Sequence, residues 1–154
     1  LAALIRPLGA DCPFFIYNTP CYAEGIGDEL SPIPLSLNGL RLILIKPDIA
    51  VSTREAYSGI ILHPEATGNI FHALQQHTPI INLFPLLHND FEQTVFPLHS
   101  DLAKIKEQLL SADALYASMS GSGSTIFALF DGANTQDIQI SCNQPFTTLI
   151  DTIL

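Results

Sequence analysis

The chain has 154 residues, with six Lys and Arg against fifteen Asp and Glu for a formal charge of −9. That length allows one domain with a real core. The cations Arg6, Arg41, Lys46, Arg54, Lys104 and Lys106 are scattered, which argues against a nucleic-acid partner, since such surfaces need clustered positive charge. The longest apolar stretch, Pro79 to Leu87, carries Asn82 and two prolines and is too short to span a bilayer, so no membrane partner is expected either. Cys12, Cys21 and Cys142 form no C-x-x-C pair, and an odd, widely spaced set suits free thiols in a reducing cytoplasm. Apolar residues make up 47% of the chain. So high a share predicts surface covered by further sequence or by a partner.

Leu1 to Leu8 reads as the end of a helix already under way, closed by Pro7 and Gly9. No capping residue precedes it, so the chain is expected to be part of something longer, or processed. Pro13 suits the first turn of a helix or a tight lead into an extended run, and Phe14, Phe15, Ile16 and Tyr17 are expected to be buried. Cys21 to Glu24 reads as a short strand and Gly25-Ile26-Gly27 as a turn. Ser31-Pro32-Ile33-Pro34 reads as a connection, and Asn38-Gly39 is a turn signal that suggests a domain boundary.

Leu40 to Ile45 is Leu- and Ile-rich and stops at Lys46-Pro47, as a buried strand does. Val51 to Gly59 reads as a helix in which Ser52 caps and Glu55, three residues on, completes a capping box. Ala66 to His77 sets Ala66, Ile70, Ala73 and Leu74 on one helical face. Leu83 to Phe96 reads as one or two short helices. The clearest helix is Ser100 to Leu110: Leu98, Leu102, Ile105 and Leu109 recur at spacings of four, three and four, with Lys104, Lys106, Glu107 and Gln108 toward water. Ala114 to Ser120 alternates with period two, and Thr125 to Phe130 is a further strand. The tail from Phe146 to Leu154 reads as a last strand or a short helix.

Between the two later strands, Ser118 to Phe127 places Gly121 and Gly123 among five hydroxyl side chains. Glycine lets successive amides turn toward one point, an arrangement suited to an anion. The stretch is not a Walker A loop, because no Lys follows Gly123. It is not a dinucleotide fingerprint, because Ile126 replaces the third glycine, nor a nucleophile elbow, because Ser120 stands where glycine is needed. It reads either as a phosphate cradle or as a tight Gly-Ser turn. Asp11, between Gly9 and Pro13 in an apolar neighbourhood, reads either as a base for a substrate hydroxyl or as a helix cap. Asn89-Asp90-Phe91-Glu92 reads as a helix start, and Asp28-Glu29 reads similarly. Tyr57 is core or a stacking platform, with core favoured. His63, His72, His77, His88 and His99 show no ligand spacing, and no metal site is expected.

These segments occur together in one family. Leu8-Gly9-Ala10-Asp11-Cys12-Pro13-Phe14-Phe15, Ala23 to Leu30, Lys46-Pro47 with Val51 to Tyr57, Asn89-Asp90-Phe91-Glu92, and Met119 to Phe127 as a third motif resemble, in order and spacing, the later half of a GHMP-type small-molecule kinase. Within that family they are most similar to the CDP-methylerythritol kinases. The family's Gly-Ser-Ser-rich phosphate loop and its early Lys are not in this sequence. Asn18-Thr19-Pro20 stands where many members have a glycine, Asp28 adds an acid, and the match is thin after Phe130.

The resemblance implies an α+β fold. Residues 1–38 would be the remnant of an N-terminal GHMP catalytic domain (ribosomal protein S5-like), and residues 39–154 a ferredoxin-like C-terminal domain. It implies transfer of the ATP γ-phosphoryl group to the 2-hydroxyl of CDP-methylerythritol, with ATP accompanied by Mg2+ and with the missing N-terminal half as the partner of this part. It implies Asp11 as the catalytic carboxylate, Tyr57 and Thr53 as substrate-binding residues, and Gly121, Ser122, Gly123 and Ser124 as support for the phosphate loop. The alternatives are another GHMP kinase, of mevalonate-pathway or homoserine type, or a non-enzymatic ferredoxin-like ligand-binding module.

Overall fold

The structure is a computed structural model that describes residues 2–61 and 68–154. The first elements in chain order are helix α1 (Ala2–Ile5), a 3-10 turn (Arg6–Leu8), helix α2 (Cys12–Tyr17), and strands β1 (Cys21–Glu24), β2 (Glu29–Pro32) and β3 (Leu40–Pro47). Helices α3 (Thr53–Ser58), α4 (Gly68–Gln75) and α5 (Ile80–Leu83) follow, then a 3-10 turn (Phe84–Leu86), α6 (Phe91–Leu98) and α7 (Ser100–Ser111). Strands β4 (Tyr116–Met119), β5 (Ile126–Asp131) and β6 (Phe146–Ile153) complete the order. Ala66 and His63, both singled out in the sequence, lie outside the described residues. The chain divides into two compact units, Leu1–Ser36 with Glu65–Leu83, and Leu37–Pro64 with Phe84–Leu154.

In the first unit, Pro13 occupies the first turn of α2, where a missing N–H costs nothing. Strands β1 and β2 form an antiparallel hairpin from Cys21↔Pro32 to Glu24↔Glu29. Asp28-Glu29 is therefore the end of a turn and the start of a strand, not a helix start, and Ser31-Pro32 belongs to the strand rather than to a connection. Pro32 is tolerated because it ends a two-stranded ribbon. Phe14, Phe15, Ile16 and Tyr17 are exposed, at 40%, 74%, 42% and 46%, which overturns the expected burial. Four successive apolar residues on a helix face all directions, and a six-residue helix has no room to bury them all. Tyr22 packs its ring on Phe71 of α4 at 4.5 Å.

The second unit is a four-stranded antiparallel sheet in the order β4-β5-β3-β6. Its strands, taken in sequence, therefore run 4-1-3-2 across the sheet, the arrangement of the split β-α-β fold. Helices fill the first crossover, and residues 132–145 make the second without a helix. The α+β expectation holds, in ferredoxin-like strand order. Leu102, Ile105 and Leu109 of α7 are fully buried in a core with Ile43, Ile45, Ala56, Val95, Met119, Ile126, Ala128 and Phe130. Leu98 is 59% exposed and lies at the end of α6, so it does not continue that stripe as its spacing suggested. Arg41 ties β3 to β6 through a fork on Asp151, at 2.6 and 2.7 Å. That hydrogen-bonded pair holds the Asp151 carboxyl below, and the Arg41 guanidinium above, its usual range. Gly132 is required by close approach: a Cβ there would collide with the Gly39 carbonyl that its own N–H contacts at 2.9 Å.

Candidate functional site

In the second unit the glycine-rich stretch is a tight loop between β4 and β5. Ser120 N–H bonds to Thr125 O at 2.8 Å, and Gly123 N–H to Ser120 O at 3.0 Å. Gly121 and Gly123 adopt φ of +56° and +91°, the left-handed region that other residues avoid. A Cβ on Gly123 would also stand 2.6 Å from Met119 Sδ. Gly121 is exposed and Ser122 half-buried. Ser124 is buried, accepting from Lys46 Nζ at 2.6 Å and donating to the Ile49 carbonyl at 2.6 Å. It anchors the loop to the end of β3 and does not present a free hydroxyl. The loop leads into a strand, so no helix N-terminus adds its dipole there.

Two side chains before and within α6 hold the start of this loop. Asn89 Nδ2 donates to Met119 O and Gly121 O, both at 2.8 Å, while its Oδ1 accepts the Phe91 N–H at 3.0 Å. Glu92 Oε1 accepts the Met119 N–H at 2.8 Å and the Ser118 hydroxyl at 3.0 Å, and Oε2 accepts Lys106 Nζ at 2.5 Å. Lys106 therefore turns inward and is not one of the wholly solvated residues of α7. The segment is a helix start as read, but the capping comes from Asn89: Asp90, at the N-cap position, makes no side-chain cap bond. Burial raises the nearby Tyr116 phenol above its ordinary range and the Glu92 charge adds to that, against a hydrogen bond with Ser118.

Tyr57 lies on α3 in the same unit. It is 63% exposed and meets the Phe91 ring edge-on, with centroids 4.8 Å apart and planes at 80°. The core reading is thus corrected: the ring is supported from one side and open to solvent, because α3 is short and buries only Ala56. Thr53, in the first turn of α3, is exposed. Ser52 precedes the helix with extended backbone but makes no side-chain cap bond. Glu55 faces His99 Nε2 at 3.7 Å instead of reaching back, so the expected capping box does not form.

In the first unit Asp11 stands at the N-cap position of α2 with helical backbone angles and no side-chain cap bond. It lines a cleft of about 470 Å³ with Phe14, Phe15, Cys21, Ala23, Gly27 and Leu30. The cap alternative is therefore not realised. A carboxylate in a mostly apolar cleft, uncommitted to the backbone, is suited to meeting a hydroxyl group. Among the described residues no group of three or more His, Cys, Asp or Glu side chains is arranged to hold a metal ion, and no helix is long and apolar enough to cross a membrane.

Sequence reasoning missed the joint work of Asn89, Glu92, Lys46 and Lys106 around the loop. Asn89 and Glu92 are visible as a polar pair, but their partners on β4 and the loop lie 26 to 32 residues away. The Lys46–Ser124 bond spans 78 residues, and no local pattern announces it.

Comparison with known proteins identifies what the chain is similar to. The 4-diphosphocytidyl-2-C-methyl-D-erythritol kinase of Bacteroides thetaiotaomicron is 50% identical over 129 residues, covering 83% of this chain and 46% of the relative. That of Cytophaga hutchinsonii is 40% identical over 151 residues, covering 92% and 54%. The chain thus spans about half the length of the curated relatives it matches. The crystal structure of a 4-(cytidine 5'-diphospho)-2C-methyl-D-erythritol kinase superposes with a TM-score of 0.62 at 30% identity, over 83% of this chain and 47% of that one. A family model described as GHMP kinases C terminal matches residues 70–143, which span α6, α7, β4, the glycine loop and β5, and this chain therefore carries a GHMP kinase C-terminal domain.

Proposed function

We propose that the full-length polypeptide carrying this chain is an ATP-dependent kinase that phosphorylates the 2-hydroxyl of 4-diphosphocytidyl-2-C-methyl-D-erythritol in non-mevalonate isoprenoid biosynthesis. The observation that carries this reading is the 50% identity over 129 residues to a kinase of that name. The open cleft at Asp11 and the open ring of Tyr57 support it. In this reading residues 1–38 end the N-terminal catalytic domain and residues 39–154 form the C-terminal one. The missing N-terminal half supplies the main phosphate loop and a lysine, and the enzyme works in the cytoplasm.

Asp11 is the base. It accepts the proton of the attacking hydroxyl as the new P–O bond forms and the bond to the leaving ADP oxygen breaks. Tyr57 offers a face on which the cytosine ring stacks, and Thr53 lies on the same substrate side. Gly121 to Ser124 form a wall that completes the ATP pocket. Mg2+ is expected to accompany the ATP phosphates.

The test is phosphoryl transfer from ATP to CDP-methylerythritol by the full-length polypeptide, wild type against Asp11→Asn. The wild type is expected to transfer and the variant to fail. The 154-residue chain alone is expected to be inactive, because positioning both reactants needs both halves of the site. Transfer at a normal rate by that chain alone, or undiminished transfer by the variant, would overturn the assignment.

A further inference from the structure

Strand β4 is an edge of its sheet, and an edge strand leaves backbone N–H and C=O groups without a ladder partner. At Met119, the last residue of β4, both groups are taken by side chains. Glu92 accepts the N–H at 2.8 Å and Asn89 donates to the carbonyl at 2.8 Å. The two residues stand in for a neighbouring strand. Asn89 then reaches past the end of the ladder to Gly121 O at 2.8 Å, so one amide group bridges the strand and the loop that leaves it. Its two donors and its one acceptor are all used. Glu92 is fixed in turn by Lys106 on α7.

We infer that Asn89 and Glu92 are positioning residues that set the shape of the Gly121–Ser124 loop, and that this shape controls affinity for ATP. The second half of that statement rests on the kinase reading above; the first does not. Neither residue is assigned a contact with substrate.

Asn89 allows a test that separates this role from helix capping. In Asn89→Asp one oxygen can still accept the Phe91 N–H, and negative charge suits a helix start. The other oxygen, however, is set against the Met119 and Gly121 carbonyls, acceptor against acceptor. Asn89→Ala loses the cap and the clamp without adding repulsion. The positioning role therefore predicts that the Asp variant is worse than the Ala variant, whereas a capping role predicts the reverse.

The experiment is done in the full-length polypeptide. Amide exchange is followed at Ser120 and Gly123, whose N–H groups bond within the loop. The KM for ATP and kcat are measured alongside. Asn89→Asp is expected to speed exchange and raise the ATP KM by about tenfold or more, with Asn89→Ala in between and kcat nearly held. If the Asp variant does not fold, the Ala variant still decides through its ATP KM, expected to rise several-fold. Exchange and ATP KM that are unchanged, or that are worse in Ala than in Asp, overturn the inference. Faster loop exchange with an unchanged ATP KM also overturns it, because the loop shape would then not matter to the nucleotide. A wild type that transfers no phosphoryl group sinks the kinase reading instead, and the exchange order still decides the clamp.

Discussion

The two candidate regions are held in opposite ways. The glycine loop sits on a closed core: Met119 and Ile126 at its two ends are buried, and Asn89, Glu92, Lys46 and Ser124 tie it to α6 and β3. Asp11 sits at the start of a six-residue helix with four exposed apolar residues, on a cleft, and makes no capping bond. A loop that must keep one shape is served by dense local bonding, because each buried polar group left without its partner would cost about 1–3 kcal/mol. A base, the role proposed for Asp11, must keep an acceptor oxygen free for its substrate. Rigid support and chemical availability are thus assigned to different places in the chain.

The difference can be broken deliberately. Asp11→Asn should lower kcat of the full-length polypeptide by about 10²–10⁴-fold, the usual worth of a general base. Its melting temperature should stay within the range of an ordinary surface substitution, because no capping bond is lost. A large loss of stability in that variant would show that Asp11 is structural after all. Gly123→Val should do both kinds of damage. Its φ of +91° is strained for valine and its Cβ would crowd Met119 Sδ, so stability should fall by about 1–3 kcal/mol in thermal melts, with activity falling too. An unperturbed melt would show that the loop is less fixed than its bonding indicates.

Tyr57→Ala sharpens the comparison on the substrate side. The ring is mostly solvent-facing and touches Phe91 only edge-on. Its loss should therefore weaken CDP-methylerythritol binding by about 1–3 kcal/mol, the worth of one stacked base, while the fold is little affected. Binding of the cytidine substrate measured by calorimetry would decide, and unchanged affinity would remove Tyr57 from the site.

The smallest effect belongs to Asp151→Asn. Asp151 is held below its usual pKa by Arg41, so its contribution is complete above the ordinary carboxylate range and is lost as pH falls through the lowered value. For a half-exposed pair this is about 0.2–1 kcal/mol. Wild type should melt slightly above the variant at neutral pH, and the gap should close in acid. A gap that widens in acid would contradict the pairing.

Sequence pattern revealed those elements whose partners follow from periodicity. Leu102, Ile105 and Leu109 mark one helix face and are fully buried. Leu40 to Ile45 marks a strand that proves central, and Thr125 to Phe130 marks its neighbour β5, whereas the tail that forms β6 reads in sequence as either a strand or a short helix. The failures are where local pattern and tertiary context part. Phe14 to Tyr17 look like core but lie on a helix too short to bury them. Leu98 keeps the spacing of α7 but sits on α6. Ser52 and Glu55 have capping-box spacing, yet Glu55 turns toward His99. Asn89 and Glu92 read as a helix start, which is true, but the larger part of their bonding is to the end of β4 and the loop that leaves it, some thirty residues on, and spacing along the chain carries no trace of that.

The central claim is that this chain is the later part of a kinase in which Asp11 takes the proton of the CDP-methylerythritol hydroxyl. The direct measurement is kcat/KM of the full-length polypeptide for CDP-methylerythritol, mevalonate and homoserine with ATP as donor, for wild type and Asp11→Asn. The account predicts transfer to CDP-methylerythritol far above the other two acceptors, and its loss in the variant. Preference for another acceptor, or a variant as active as wild type, would contradict it.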